Sequence, residues 1–236
     1  PNADNTADIN GNLGAIELYT TAGGNWARVN RFGSPTFSTA GSRFGEAVAI
    51  HGSTVAVGEP GYVAERGRAW VFEQAFVGDI DWSAASSLDL LVPAPDPGIP
   101  GGARMGAAIA ISDCSVVVGG PGNGVVPTFN GQAWVFSRAS NSENNWAYLE
   151  LPLLGINPGD GYGDAVAINS RTVAIGAWLG GSLDAGTVTL SQVSCDCDGD
   201  GTPDLEQIAA DLSLDCNADG VIDSCQILWD PDLDCD

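Results

Sequence analysis

FGEAVAIHGSTVAVGEP, the stretch from Phe44 to Pro60, recurs twice along this chain in altered form. The second copy reads MGAAIAISDCSVVVGGP from Met105 to Pro121, and the third reads YGDAVAINSRTVAIGAW from Tyr162 to Trp178. Each copy has an aromatic residue or Met, then Gly, then two apolar runs separated by a short polar turn, and then a second Gly. Self-similarity at a nearly constant spacing indicates a repeat architecture.

A second motif, which begins with Gly and continues as an apolar run, follows each copy and also precedes the first. Its four occurrences are Gly14–Tyr19, Gly67–Phe72, Gly131–Phe136 and Gly186–Ser191. A full unit therefore has four predicted strands: A from Phe44 to Ile50, B from Thr54 to Val57, C from Gly67 to Phe72 and D from Trp82 onward. The short polar turn between A and B predicts a hairpin.

The predicted strands follow the order C-D, A-B-C-D, A-B-C-D, A-B-C. In one arrangement, the N-terminal D strand completes the C-terminal A-B-C sheet, and the N-terminal C strand has no place in a full unit. In the other arrangement, the N-terminal C-D pair forms a partial unit by itself. In both arrangements some sheets stay incomplete and leave edges that can pair with another strand. The continuous apolar runs VAVG, VVVG and VAIG predict B strands that are buried on both faces.

The overall charge limits the classes of partner. The chain has 30 acidic and 8 basic residues, which gives a net charge of -22. This balance argues against nucleic acid and anionic membrane surfaces as partners and favours cations.

No apolar run reaches the length of about 18 residues that a membrane-spanning helix needs, so no membrane insertion is expected. The chain starts at Pro1 with no signal peptide, so we interpret it as a mature, processed or fragment chain of a secreted protein.

Charge and cysteine content divide the chain into three predicted parts: an N-terminal extension (1–13), a β-repeat domain (14–192) and an acidic tail (193–236). All six cysteines except Cys114 lie in the tail. An even number of clustered cysteines favours disulfides formed in an oxidising compartment over a metal cluster. The pairing cannot be read from the sequence. A local bridge from Cys216 to Cys225 and a bridge from Cys114 to Cys195, which would clamp the tail to the repeats, are two hypotheses.

The tail contains two loops with the spacing of a calcium site. Oxygen ligands at loop positions 1, 3, 5, 7 and 9 are Asp196, Asp198, Asp200, Thr202 and Asp204 in the first loop, and Asp215, Asn217, Asp219, Val221 and Asp223 in the second. Position 7 would contribute its backbone carbonyl, and Gly at position 6 permits the sharp turn, so Ca²⁺ is the expected cofactor. Gln207 and Gln226 stand at position 12 instead of an acidic residue, which predicts weak, extracellular-grade affinity. Asp234 and Asp236 begin a third loop. Either the protein was cut inside a repeat or a neighbouring chain completes this loop, and Asp4, Asp8, Asn10 and Asn12 are the hypothesised N-terminal oxygen ligands.

The repeat resembles the FG-GAP repeat of integrin alpha-subunit propellers across roughly residues 14–191. The match is strongest at Phe44-Gly45 and Met105-Gly106. The resemblance implies four-stranded blades of a β-propeller, although propellers usually need four or more blades and this chain has three and a fraction. Many members of that family carry a calcium loop between blade strands, and no such loop follows Gly58, Gly119 or Gly176. The tail resembles thrombospondin type 3 repeats and dockerin modules, and its Asp-Cys start favours the former.

Several residues that attract attention have structural interpretations. His51 is the only histidine and occupies the A–B turn, so we interpret it as a turn residue. Because the chain also lacks lysine, the usual general bases are almost absent, and no enzymatic activity is expected. Trp26, Trp82 and Trp146 are expected between sheets, with a sugar-stacking surface as the alternative. Ion pairs of Arg66 and Arg68 with Glu65 or Glu59 are expected to contribute little.

These observations predict an all-β protein of repeated four-stranded antiparallel sheets, incomplete at both ends, with a small EF-loop-type calcium module at the C-terminus. The expected function is that of a non-enzymatic, secreted structural or adhesion protein at the cell surface or outside the cell. It would self-assemble into a homo-oligomer or polymer, such as a filament or surface layer, through incomplete sheets and calcium-bound termini. The alternative is a propeller-type module that binds protein or glycan and is tethered by a dockerin-like tail.

Overall fold

The structure is a computed structural model that describes residues 13–22, 24–36, 40–74, 86–90, 101–112, 114–122, 130–138, 146–148, 153–169, 171–193, 195–196, 202–216 and 222–223. Within these ranges the chain is mostly β, and its strands form four antiparallel sheets. The predicted all-β class with antiparallel sheets is therefore confirmed.

The sheets follow one another along the chain. Sheet 1 pairs β1 (Ile16–Ala22) with β2 (Asn25–Phe32). Sheet 2 contains, in spatial order, β3 (Val48–His51), β4 (Thr54–Gly58), β5 (Ala69–Glu73) and β6 (Ser86–Leu90). Sheet 3 contains β7 (Ala108–Ile111), β8 (Ser115–Gly120), β9 (Gln132–Arg138) and β10 (Trp146–Tyr148), and β11 (Leu153–Leu154) also pairs with β9. Sheet 4 contains β12 (Tyr162–Asn169), β13 (Thr172–Ala177) and β14 (Thr187–Gln192).

The helical elements whose bounds the structure describes are short. They are α1 (Tyr62–Glu65), α2 (Asp204–Ala210) and two 3₁₀ turns at Ser182–Asp184 and Leu212–Leu214. The sheets correspond to the predicted order C-D, A-B-C-D, A-B-C-D and A-B-C. Of the two arrangements left open by the sequence, the structure has the first C-D pair as a two-stranded sheet of its own, and in the described residues neither strand pairs with a strand of sheet 2 or sheet 4.

Consecutive sheets pack face to face through three apolar clusters, which together form the core. The cluster between sheets 1 and 2 contains Ile16, Phe44, Val55, Val57, Trp70 and Phe72. The cluster between sheets 2 and 3 includes Ala69, Val71, Met105, Val116, Val118 and Trp134. The cluster between sheets 3 and 4 includes Val117, Val135, Tyr162, Val173 and Ile175. Sheets 2 and 3 are therefore covered on both faces.

The burial of the B strands follows from this arrangement. Every residue of β4 and β8 is buried, as the continuous apolar runs predicted. The same prediction is wrong for β13, in which buried residues alternate with exposed or half-buried ones. The reason is that sheet 3 covers one face of sheet 4, whereas no described part of the chain packs on the other face.

Candidate functional site at the open end of the sheets

A two-residue segment at the start of each unit joins one sheet to the preceding one. We call Phe44-Gly45, Met105-Gly106 and Tyr162-Gly163 the docking dipeptides. Their first residues form parallel bridges with Gly14, Gly67 and Gly131, which lie at the start of strand C in the preceding sheet. The backbone N–H of Phe44 donates to the carbonyl of Leu13 over 2.9 Å, and that of Met105 donates to Arg66 over 2.9 Å. The three side chains are buried in the clusters between sheets.

Close approach by each docking dipeptide explains the glycine at the end of strand B. A Cβ atom at Gly58 would collide with the carbonyl oxygen of Gly106, and one at Gly119 would collide with that of Gly163. A Cβ atom added to the glycine at the start of strand C would also collide with the backbone of a docking dipeptide. These glycines are Gly14, Gly67 and Gly131. These positions need glycine because two backbones meet there.

The corresponding site on sheet 4 is open in the described part of the chain. A Cβ atom at Gly176 would meet only Ala165, at an ordinary contact distance of 3.4 Å, and one at Gly186 would come no closer than 3.4 Å to any atom. A groove of about 420 Å³ lies here. Its lining includes Asp164, Ala165, Gly176, Trp178, Gly186 and Val188. We call this the terminal groove.

The outer face of sheet 4 carries apolar side chains beside the terminal groove. Val188 and Leu190 of β14 are 69% and 70% exposed. The residues at the same repeat positions of sheets 2 and 3 are at most 3% exposed. They are Ala69 and Val71 in sheet 2, and Ala133 and Val135 in sheet 3. In both cases the next sheet covers them. We call the outer surface of sheet 4 the open face, since it repeats a surface that is covered twice elsewhere in the molecule.

A matching exposed surface lies at the other end of the sheets, on β3. Val48 and Ile50 are 56% and 63% exposed. Their counterparts in sheet 3, Ile109 and Ile111, pack against the cluster shared with sheet 2, and those in sheet 4 pack against the cluster shared with sheet 3. The described strands of sheet 1 are C and D, so no described strand A or B of that sheet covers Val48 and Ile50.

The tryptophans of the D strands also differ in burial although they occupy the same repeat position. Trp146 is buried, and its ring lies 4.7 Å from the guanidinium carbon of Arg138. Trp26, at the same repeat position, is 74% exposed. The prediction of packing between sheets is therefore confirmed for Trp146 and wrong for Trp26, because no described sheet precedes sheet 1. Trp82 lies outside the described residues.

A buried polar cluster follows strand B of sheet 2. Glu59 and Arg68 are almost fully buried, and their side chains approach to 2.6 Å. The indole N–H of Trp70 donates to the same carboxylate over 3.0 Å, and the Arg68 guanidinium lies 3.5 Å from the ring centre of Tyr62. The predicted ion pair of Arg68 with Glu59 is present, and it is buried, so removing one partner would leave the other charge uncompensated.

Asp89 of β6 lies at the edge of this polar cluster. Its Oδ2 atom is 3.8 Å from Nη1 of Arg68. Burial raises the pKa of Asp89 to about 6; the positive charge of Arg68 opposes this rise and the negative charge of Glu59 adds to it. Both carboxylates, Glu59 after β4 and Asp89 on β6, are thus ion-paired with Arg68, which directly precedes β5 of the same sheet.

The acidic tail is fixed to the sheets by a disulfide. Cys114, which precedes β8, is bonded to Cys195, 81 residues later. The hypothesis that this pair clamps the tail to the repeats is confirmed. Cys216 is also disulfide-bonded, whereas its hypothesised partner Cys225 lies outside the described residues.

The structure describes part of each predicted calcium loop: Asp196, Thr202 and Asp204 of the first, and Asp215 and Asp223 of the second. Asp204 and Asp223, both at loop position 9, are only 1% and 6% exposed. The backbone N–H of Cys216 donates to Oδ2 of Asp223 over 2.8 Å, and that of Asp204 donates to the carbonyl of Cys195 over 2.8 Å. The segment between the loops contains α2 and a 3₁₀ turn.

The remaining predicted ligands, which are Asp198, Asp200, Asn217, Asp219, Val221, Asp234 and Asp236, lie outside the described residues. The N-terminal oxygens from Asp4 to Asn12 lie outside them as well. Among the residues that the structure does describe, no three His, Cys, Asp or Glu side chains come together as a metal site. The donor set itself fits a hard cation, because its described members are oxygen ligands and two of its carboxylates are held in buried, matched positions.

His51 ends β3 beside the hairpin turn, and its side chain is exposed. Within the described ranges, no helix has the length and apolar composition that would let it cross a membrane.

Comparison with known proteins identifies no relative of this chain. No family model matches it, and no curated protein matches it. The candidate functional site is therefore defined by geometry, as the open face and terminal groove of sheet 4 together with the exposed surface of β3.

Proposed function

We propose that this chain is a non-enzymatic, extracellular structural or adhesion protein that self-associates through its incomplete sheets and is stabilised by calcium in its tail. The observation that carries the proposal is the exposure of Val188 and Leu190 on the open face. The same repeat positions are buried in sheets 2 and 3, where another sheet follows. An apolar surface whose counterparts are covered twice in one molecule favours a protein contact over contact with water.

A second copy of the chain is the occupant that best fits this surface. Sheet 4 has strands A, B and C and no described D strand, whereas sheet 1 has strands C and D only. The surface that sheet 1 leaves uncovered, around Val48 and Ile50, is the kind of surface that sheets 3 and 4 place against a preceding sheet. Each end of the molecule therefore supports contact with the opposite end of another copy, and a repeated head-to-tail contact generates rings or filaments.

The proposed assembly extends the packing already present between sheets 2, 3 and 4, and the FG-GAP resemblance supports interpreting these sheets as propeller-type blades. The free edge of β14 supports the same conclusion. In the described part of the chain only β13 pairs with β14, and an unpaired strand edge offers backbone donors and acceptors to a strand from another chain.

Calcium is the proposed cofactor of the tail. Asp196, Asp204, Asp215 and Asp223, with the other oxygen ligands of the two loops, would hold it. When bound, the ion would stabilise the folded loops, because it binds the folded state and not the unfolded chain. The Cys114–Cys195 disulfide supports an extracellular location, since such bonds persist in oxidising compartments. It also couples tail stability to sheet 3, which contains β8.

Sedimentation velocity of the full chain tests the assembly. We expect oligomers larger than a monomer in millimolar calcium. Leu190→Asp should shift the population toward monomer, because it places a charge on the open face. Ile156→Asp is the matched control, since Ile156 is 88% exposed and lies in the loop before β12. A monomer at all concentrations, with binding to a glycan array, would support the tethered binding module instead.

Calorimetric titration with Ca²⁺ tests the cofactor independently. Asp204→Asn and Asp223→Asn should each weaken or abolish one binding event. Asp211→Asn is the control, because Asp211 is an exposed carboxylate between the loops that hydrogen-bonds Ser213. Absence of heat and of any stabilisation by calcium in the parent chain would overturn the calcium part of the proposal and leave the assembly part standing.

A further inference from the structure

We propose that self-association proceeds by strand exchange, in which β14 of one copy takes the place of β1 in a second copy. The second copy then contributes β2 as the D strand of the first copy's sheet 4, and its Phe44-Gly45 docks in the first copy's terminal groove. This inference rests on the proposed self-association and adds the segment that enters the groove and the strand that it displaces.

The first support is that β1 and β14 are the same strand of the repeat. Gly186, at the start of β14, has a φ of 79°, and Gly14, at the start of β1, has a φ of 81°. The two glycines that hold docking dipeptides elsewhere, Gly67 and Gly131, have φ values of 78° and 79°. The backbone of Gly186 therefore already has the conformation of the three occupied sites.

The side chains of the two strands also correspond. β1 directs Ile16 and Leu18 into the cluster that contains Phe44. Counted from the shared glycine, Val188 and Leu190 occupy the same positions on β14. An aliphatic pair of nearly equal size can therefore replace the original pair under Phe44, and volume-conserving exchanges of this kind are well tolerated in cores.

Exchange also covers the surfaces that the separate molecule leaves exposed. When β14 of the first copy pairs with β2 of the second copy, strands β12 and β13 of the first copy extend the new sheet at the positions of strands A and B. In these positions they can cover Val48 and Ile50 of the second copy. Trp26, carried by β2, would face sheet 3 of the first copy as Trp146 faces sheet 2. The exchanged state buries Trp26, Val48, Ile50, Val188 and Leu190, whereas the unexchanged state exposes all five.

The number of described units also favours a second copy. Sheets 2, 3 and 4 are three units, whereas closed propeller-type rings contain four to eight. Mutual exchange between two copies supplies six units and closes the ring, and exchange from copy to copy in one direction gives a polymer. Both products contain the same junction between β14 of one copy and β2 of the next.

Gly176→Ala is the most specific test of the groove. The added methyl has room in the separate chain, where its nearest neighbour is Ala165 at 3.4 Å. In the exchanged state it would meet the backbone of Gly45, as a Cβ atom at Gly119 would meet Gly163. We expect Gly176→Ala to leave the fold intact by circular dichroism and to weaken association at least tenfold in sedimentation velocity. Ile156→Ala should associate like the parent chain.

A reversible lock tests the exchange itself. Thr20 pairs with Ala27 and Tyr19 pairs with Arg28 across sheet 1. One of these neighbouring pairs must be a non-hydrogen-bonded pair, with the shorter separation that suits a disulfide. The double cysteine variants Thr20→Cys/Ala27→Cys and Tyr19→Cys/Arg28→Cys are made, and the one that crosslinks fully is used. Its crosslinked form should remain monomeric, and the reduced form should associate like the parent chain in the same reductant.

The outcomes separate the two proposals. If the parent chain is a monomer under all conditions, self-association is overturned and strand exchange with it. If the crosslinked variant associates as well as the parent, self-association stands and strand exchange is overturned. If Gly176→Ala associates as well as the parent, the terminal groove is not the docking site. Loss of association in both variants, with Ile156→Ala unchanged, supports the exchange.

Discussion

The indole Nε1 of Trp146 donates a 3.0 Å hydrogen bond to Oε1 of Glu73, so a D strand of sheet 3 is fixed to a C strand of sheet 2. Arg138 approaches the same carboxylate oxygen to 2.7 Å, and both side chains of this ion pair are nearly fully buried. Two charged groups and an indole are thereby satisfied together inside the junction between two sheets. Sheet stacking in this protein therefore depends on directed polar contacts as well as on apolar packing.

Glu73→Ala should destabilise the fold strongly. Removing one partner of a buried ion pair leaves the other charge uncompensated, which typically costs about 3–5 kcal/mol. Urea unfolding followed by tryptophan fluorescence measures the loss. The control is Glu17→Ala, which breaks an ion pair with Arg28 on the surface of sheet 1 and should have a much smaller effect. Equal losses in the two variants would contradict the structural role assigned to Glu73.

Gly58→Ala and Gly119→Ala should each destabilise the fold, whereas Gly176→Ala should not. The first two methyl groups collide with the backbone of the next docking dipeptide, and overpacking of this kind costs about 1–3 kcal/mol or more. At Gly176 the change in the free energy of unfolding should stay within about 1 kcal/mol. Thermal unfolding at low protein concentration checks all three. A large loss at Gly176 under these conditions would show that its outer face is covered within the chain.

Replacing both Cys114 and Cys195 by Ala should lower stability. The bond closes a loop of 81 residues, for which the chain-entropy treatment gives about 4.5 kcal/mol. The free energy of unfolding from urea titration under non-reducing conditions is the measurement. Limited proteolysis should also cut the variant first in the tail, since α2 would lose its covalent link to sheet 3. A loss below about 1 kcal/mol would mean that the tail is held mainly by non-covalent contacts.

Asp89→Asn should stabilise the protein at neutral pH and leave it unchanged near pH 3.5. The pKa of Asp89 in the folded protein, about 6, is above its ordinary value of 3.8, so the fold favours the protonated form. Its stabilising effect is complete below about pH 4 and is lost as pH rises through 6. With an allowance for partial solvent exposure, the variant should gain about 1–2 kcal/mol at pH 7.

The comparison needs the parent chain and variant at several pH values, since many other carboxylates titrate in the same range. Asp211→Asn is the control for charge removal. Hydrogen bonds from Ser213 lower the pKa of Asp211, so its neutralisation should give no gain at pH 7. If the difference between Asp89→Asn and the parent chain did not depend on pH, the raised pKa of Asp89 would be contradicted.

Much of the fold could be predicted because residues close together in the sequence specify each strand and turn of the repeat. The alternation in Gly14–Tyr19 and the polar turn after Ile50 each specify a strand or a hairpin through nearby residues alone. The number of strands in each sheet then follows from their order. Trp70 and Trp134 recur at one place in the motif, and both are buried.

Errors appeared wherever the outcome depended on a neighbouring sheet. Trp26 and Trp146 occupy the same repeat position, and the presence of a preceding sheet decides that only Trp146 is buried. Likewise β13 has the same apolar run as β4 but no covering sheet on one side. The burial of the Arg68–Glu59 pair could not be predicted either, because the sequence gives the two charges and not the residues that surround them.

The sequence by itself determined the repeat, the strand order C-D, A-B-C-D, A-B-C-D, A-B-C, and the positions of the acidic loops, because these depend on residue type and spacing along the chain. Only the tertiary structure decided which glycines are occupied by a docking dipeptide and that Gly176 and Gly186 are open in the described part of the chain. It also decided that Cys114 joins Cys195 and that Val188 and Leu190 face outward. These properties depend on how separate sheets approach one another in space, and contacts of that kind have no fixed spacing in the sequence.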